Sequence, residues 1–157
     1  MSGRNTMRAM ILSRTVSLEE TDRPLREVEM AVPEPGPGEI LVEVAACGVC
    51  HTELDEIEGR TTPPRFPVIP GHEIVGRVAS RGAGASRHGE GDRVGVGWIQ
   101  IKSVANITGR DIAEFLPVAG EIPLKPEVRT FPLERANEAL LELKRGPVRG
   151  AKVLEIR

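Results

Sequence analysis

Ile40-Leu41-Val42-Glu43-Val44-Ala45-Ala46-Cys47-Gly48-Val49-Cys50-His51-Thr52-Glu53 is the stretch from which the rest of the chain can be placed. Ile40, Val42 and Val44 alternate with Leu41, Glu43 and Ala45, a period of two that predicts a strand over 40–46. That strand ends by delivering Cys47-Gly48-Val49-Cys50, and the next residues add an imidazole (His51), a hydroxyl (Thr52) and a carboxylate (Glu53). About twenty residues on, Gly71-His72-Glu73 supplies a second imidazole and a further carboxylate. Between the two, 52–58 reads as one or two helical turns. Residues 61–70 read as a loop, because Pro63, Pro64, Pro67 and Pro70 exclude regular helix.

Working outward, Pro33-Glu34-Pro35-Gly36-Pro37-Gly38 is a turn of stiff prolines and permissive glycines. Strands are expected over 7–12, 25–32, 73–78, 93–99, 128–132 and 151–156, with an exposed Gly- and Arg-rich connection over 81–91. A short helix over 112–116, capped by Thr108 or Asp111, should stop or kink at Pro117. Residues 133–144 give the clearest helix: Leu133, Ala136, Leu140 and Leu143 share one face, and Gly146-Pro147 ends it. The fold class expected is mainly β with a few helices.

Composition narrows the function classes. The 157 residues suit one domain with a real core. Net charge is −2 with scattered cations, and four aromatics offer little for base stacking, so no nucleic-acid partner is expected. No apolar run reaches membrane-spanning length and the N-terminus does not read as a signal peptide, so the expected location is the cytoplasm, with no membrane partner. Two cysteines three apart make no disulfide framework and read better as metal or redox chemistry.

Zinc takes thiolate sulfur and imidazole nitrogen, and a catalytic site holds it with three protein ligands and an open position. Cys50, His72 and Glu73 are suitable donor types. By spacing alone they read equally as a buried thiol, a hydrogen-bonded histidine and a solvated glutamate. Cys47-x-x-Cys50 lacks the βαβ frame of a redox pair, and no second Cys-x-x-Cys exists to complete a four-ligand structural zinc site.

Three segments carry a resemblance. Cys47-Gly48-Val49-Cys50-His51-Thr52-Glu53-Leu54, Gly71-His72-Glu73-Ile74-Val75-Gly76-Arg77-Val78 and Gly91-Asp92-Arg93-Val94-Gly95-Val96-Gly97-Trp98 resemble the zinc-dependent alcohol dehydrogenases of the medium-chain dehydrogenase/reductase superfamily. The tail from Ser103 through Ala136-Asn137-Glu138-Ala139-Leu140 to Val153-Leu154 resembles that family's C-terminal segment. The resemblance implies a GroES-like barrel that the tail returns to complete, so that 1–99 and 103–157 form one domain. It implies zinc held by Cys50 and His72, with Glu73 as an alternative or exchanging ligand. Glu53, in place of the usual aspartate, would steady the zinc-bound histidine. Thr52 would relay the proton of the substrate oxygen, His51 would contact the pyrophosphate of NAD(P), and Ile57 and Trp98 would wall the substrate pocket. Asp55 stands where a relay histidine often lies. The implied reaction is alcohol–aldehyde interconversion by hydride transfer on a small alcohol or aldehyde.

The sequence departs from the pattern after Trp98. No four-cysteine lobe, no third cysteine and no Gly-x-Gly-x-x-Gly of a Rossmann domain follows; Gly82-Ala83-Gly84-Ala85 is a turn fragment. The chain therefore reads as a family member whose middle is missing at 99–103, inactive alone unless a cofactor domain is supplied. The competing expectation is a non-catalytic zinc- or ligand-binding barrel that self-associates as a homo-oligomer through its uncovered face, where Ile101, Val104, Ile107, Phe115 and Leu116 are apolar.

Overall fold

The computed structural model describes residues 6–97, 109–122, 124–147 and 149–156. Among the described residues, seven strands and three helices follow in the order β1 (Thr6–Ile11), β2 (Arg26–Ala31), β3 (Ile40–Val49), α1 (His51–Ile57), β4 (Ile74–Arg81), β5 (Arg93–Val96), α2 (Gly109–Glu121), β6 (Val128–Pro132), α3 (Ala136–Arg145) and β7 (Ala151–Glu155). A single 3-10 turn, Leu133–Arg135, leads into α3. The fold is mainly β, as the alternation and the turn-rich composition imply.

The strands form a two-stranded sheet, β1-β2, and a five-stranded sheet in the order β5-β4-β3-β7-β6. Pairing among the described residues leaves these as two open sheets rather than a closed barrel. All pairs are antiparallel except β6 with β7. β3 runs three residues beyond the expected 40–46. It does so because its last residues are paired on both sides: Cys47 with Ile74 of β4 and with Leu154 of β7, Gly48 with Val153 and Val49 with Lys152. Two register shifts, at Leu41/Val42 and Val44/Ala46, bend β3 against β4.

The core lies where α1 and α3 meet the N-terminal segment. Leu54 and Ile57 of α1 and Ala136, Leu140 and Leu143 of α3 pack with Met10, Leu12, Leu18 and Leu25. The apolar spacing of 133–143 thus buries the expected face of α3. Polar clamps fix the same contact. The Asn137 amide donates to the Leu25 carbonyl and accepts from its N–H, both at 2.9 Å. Glu58 accepts from Lys144 and, at 2.7 Å, from Arg60.

One expectation is corrected: α2 does not stop at Pro117 but continues to Glu121. Only the bond from the missing proline N–H is forfeited, and the remaining donors carry the helix on. Trp98, the 99–103 junction, the cap at Thr108 and the apolar residues Ile101, Val104 and Ile107 lie outside the described residues.

Candidate metal centre

Cys50 sits between β3 and α1. Its extended backbone (φ −125°, ψ −178°) makes it the N-cap, and its Sγ accepts from Thr52 N at 3.3 Å. Glu53 answers from the first turn: its Oε2 accepts from Cys50 N at 2.8 Å. This is a capping box with a cysteine in the place usually held by serine or threonine, and it fixes the direction of the thiol.

His72 arrives from the other side of β3. Gly48 N donates to Glu73 O at 2.8 Å, which registers the 72–73 segment on the end of β3. Gly71 supplies the approach with φ +133°, and a Cβ there would lie 2.9 Å from Cys47 Sγ. The ring of His72 then spans two groups: Nδ1 lies 2.8 Å from Glu53 Oε1 and Nε2 lies 3.6 Å from Cys50 Sγ. His72 Nδ1 is the one partner of the buried Oε1 among the described residues.

Donor atoms of Cys50, Glu53 and His72 lie within 4.8 Å of one another. The 3.6 Å sulfur–nitrogen separation is informative. A tetrahedral zinc with bonds of about 2.3 Å to sulfur and about 2.05 Å to nitrogen holds the two donors about 3.6 Å apart. Glu53 already accepts from Cys50 N and faces Nδ1, so it serves the thiol and the imidazole rather than offering a free oxygen. A carboxylate on Nδ1 that leaves Nε2 for the metal is the usual support of a ligating histidine.

The other expected residues fall at varied distances from this cluster. Glu73 is exposed, and its carboxylate lies over Gly48, where a Cβ would stand 2.2 Å from Oε2. It is not among the three clustered donors. Thr52 is half-buried beside Cys50, and His51 is exposed at the start of α1. Asp55 is held by Arg60 at 2.6 Å. Ile57 departs from its expected place on a pocket wall: it is fully buried against Leu12, Leu18 and Leu54, with no surface left for a ligand. Three-residue spacing puts it on the core side of α1 with Leu54. Cys47 donates to Gly48 O at 3.4 Å, and burial, reinforced by the Glu53 charge, pushes its thiol up to about 11. Burial also raises the Cys50 thiol, against hydrogen bonds from Thr52 that favour the thiolate.

A cavity of about 960 Å³ lies elsewhere, between the 22–27 segment and α3, and is edged by Asp22, Arg26, Glu138 and Arg145. None of the clustered donors lines it.

With this geometry, comparison with known proteins is decisive. The family model of the alcohol dehydrogenase GroES-like domain matches residues 36–121, a span holding β3, α1, β4 and all three donors. The chain belongs to the alcohol dehydrogenase GroES-like family. An alcohol dehydrogenase of Rhizobium meliloti is 49% identical over 83 residues, which are 52% of this chain and 24% of that protein. An alcohol dehydrogenase of Moraxella sp. is 47% identical over 83 residues, 52% of this chain and 25% of that protein. The cobalt- and zinc-bound thermostable alcohol dehydrogenase from Pyrobaculum aerophilum superposes with a TM-score of 0.51 at 33% identity, covering 57% of this chain and 26% of that one. The chain thus spans about a quarter of the length of these alcohol dehydrogenases. Among the described residues, no helix is long and apolar enough to cross a membrane.

Sequence reasoning had no rule for a cysteine N-cap, so it did not foresee that Glu53 serves Cys50 as well as His72. The signal was present as Cys50-x-x-Glu53, the spacing of a capping box.

Proposed function

We propose that this chain is the zinc-holding part of an NAD(P)-dependent alcohol dehydrogenase, with Cys50 Sγ and His72 Nε2 as ligands. The observation that carries the proposal is the 3.6 Å sulfur–nitrogen separation with the far nitrogen of His72 set on Glu53. Bound zinc supplies a Lewis acid able to stabilise an alkoxide. The protein groups do the rest. Glu53 keeps the Nδ1 proton, so that Nε2 presents its lone pair. Glu73 would act as an exchanging ligand. The Thr52 hydroxyl would relay the proton of a small alcohol, accepting it while passing its own proton to water, with the reverse relay returning a proton to the aldehyde's oxygen. His51, at the exposed start of α1, meets the cofactor pyrophosphate. Trp98 remains as the pocket-wall residue, since Ile57 is core.

Residues 1–99 and 103–157 make one domain in this proposal, and the pairing of β7 with β3 supports it. The chain has no Gly-x-Gly-x-x-Gly, so hydride transfer needs a nicotinamide-binding unit supplied separately. A cytoplasmic, reducing setting suits two free cysteines.

The test is metal analysis of the purified chain with NAD(P)H fluorescence and turnover assays. Stoichiometric zinc, lost in Cys50→Ala, is expected, with no cofactor binding or turnover by the chain alone and turnover once a cofactor unit is added. Absence of zinc at neutral pH, with Cys50→Ala equally stable, refutes the centre. A second reading, a zinc-binding domain that self-associates and does no chemistry, is favoured by exposed Val75 and Val96 on the sheet and by the apolar side chains of α2. Failure of turnover even with a cofactor unit supplied selects it.

A further inference from the structure

Among the described residues, eleven large apolar side chains are exposed, and six of them fall within residues 115–128. Five are on α2 or just past its end: Phe115 is 59% exposed, Leu116 60%, Val118 49%, Ile122 50% and Leu124 55%. At 100° per residue, Phe115, Leu116, Val118 and Ile122 fall on one side of the helix axis with Ala119 between them. An amphipathic helix of this kind is stable in water when its stripe is covered.

We infer that α2 pairs with α2 of a second copy of this chain, antiparallel about a two-fold axis near Ala119. The inference deepens the self-association reading above and rests on it for the fact of association. Two observations choose a second copy as the occupant. The first is area. With roughly 200 Å² for each large apolar side chain, five half-exposed ones present about 500 Å². A standard interface buries about 800 Å² per partner, and about 65% of a homodimer interface is apolar, which is again about 500 Å². The patch thus has the size of one half of a homodimer interface.

The second observation is symmetry. The exposed apolar stripe from Phe115 to Ile122 is centred next to Ala119. An antiparallel pair about Ala119 therefore sets Leu116 of each copy against Ile122 of the other, the self-complementarity an isologous interface requires. Ala119 lies within the stripe and adds little bulk, so two helix axes can approach at the usual 8–10 Å.

Sedimentation of the full chain over a concentration series, with and without zinc, tests this. Dimer is expected for the wild type. Leu116→Glu with Ile122→Glu should weaken it on the order of 100-fold, since the facing apolar anchors dominate such interfaces. Val75→Glu with Val96→Glu, on the sheet, and Ala113→Glu, off the α2 stripe, should leave it unchanged. All these side chains are exposed, and zinc content together with the circular dichroism melt verifies that each variant is folded. A wild type that is monomeric throughout overturns both the inference and the self-association reading. A dimer that survives the α2 double variant, or that is lost only on changing Val75 and Val96, overturns the α2 assignment and leaves self-association standing. A monomer that pairs through α2 only with an added nicotinamide-binding unit overturns the second copy as occupant.

Discussion

Replacing Glu53 by glutamine removes one charge and one acceptor from a group that is 4% exposed, and it should uncouple zinc affinity from folding. Both carboxylate oxygens are engaged at 2.8 Å, one by Cys50 N and one facing His72 Nδ1. The glutamine carbonyl can keep the first contact. Its cost is the difference between a charge-assisted and a neutral hydrogen bond, about 1 kcal/mol. The second contact inverts. The amide nitrogen is a donor and cannot face a protonated Nδ1, so the imidazole takes the other tautomer and places its proton on Nε2, the atom aimed at Cys50 Sγ. Binding zinc must then expel that proton or turn the ring. Loss of such a supporting acceptor costs about 10–100-fold in metal affinity, or about 1.4–2.8 kcal/mol.

The assay is competition with a chromophoric chelator at neutral pH, with a urea melt of the metal-free chain alongside. The expected result is zinc affinity down by that factor and metal-free stability down by about 1 kcal/mol. Glu53→Ala should lose more stability, because the capping box goes as well. A glutamine variant that binds zinc within about twofold of wild type refutes the reasoning, since an imidazole with Nε2 committed to zinc could not tolerate the lost acceptor.

The remaining predictions concern the framework. Lys144 and Arg60 hold the Glu58 carboxyl at about 2 against an ordinary 4.5, and the Glu58 side chain is 10% exposed. The stabilisation is therefore complete above pH 4.5 and disappears as pH falls through about 2. Urea midpoints of wild type and Glu58→Gln should differ by about 1 kcal/mol at neutral pH, solvent screening included, and converge in acid. Gly71→Ala puts a Cβ 2.9 Å from Cys47 Sγ at φ +133°. It should cost about 1–3 kcal/mol and displace His72, and adding Cys47→Ala should recover part of the zinc affinity lost, measured by the same chelator competition. Phe131 is 1% exposed, with Arg129 5.0 Å, Arg135 5.8 Å and Lys152 5.9 Å from its ring centre. Phe131→Leu should cost about 1–3 kcal/mol in thermal melts, more than an ordinary shape change, because three cations lose their aromatic partner.

Much of this was legible before any coordinates. The alternation of Ile40 to Val44 located β3, and the helical spacing of Leu133, Ala136, Leu140 and Leu143 located α3 and its buried face. Both signals are periodic and need no knowledge of neighbours. The end of β3 was not legible, because Cys47-Gly48-Val49 carries no alternation. It is held extended by β4 and β7, which come from distant parts of the chain. The run of α2 past Pro117 was hidden because a proline rule weighs one lost bond without the twelve other residues that stay helical. The burial of Ile57 depends on α3 covering α1, which no local pattern around residue 57 encodes. At the candidate site, donor types could be read directly. The dual contact of Glu53 needed the strand-to-helix corner at Cys50 to be seen as a cap.

The pairing of Gly48 with Val153 has a consequence for synthesis. The ribosome releases Cys50 and His72 well before it makes β7, yet β7 flanks the residues that aim the Cys50 thiol. Until β7 exists, the end of β3 can pair on one side only, with β4. The proposed site would therefore be complete only once the last strand has been made, so a chain shortened before Ala151 should hold the Cys50 thiol less firmly in place.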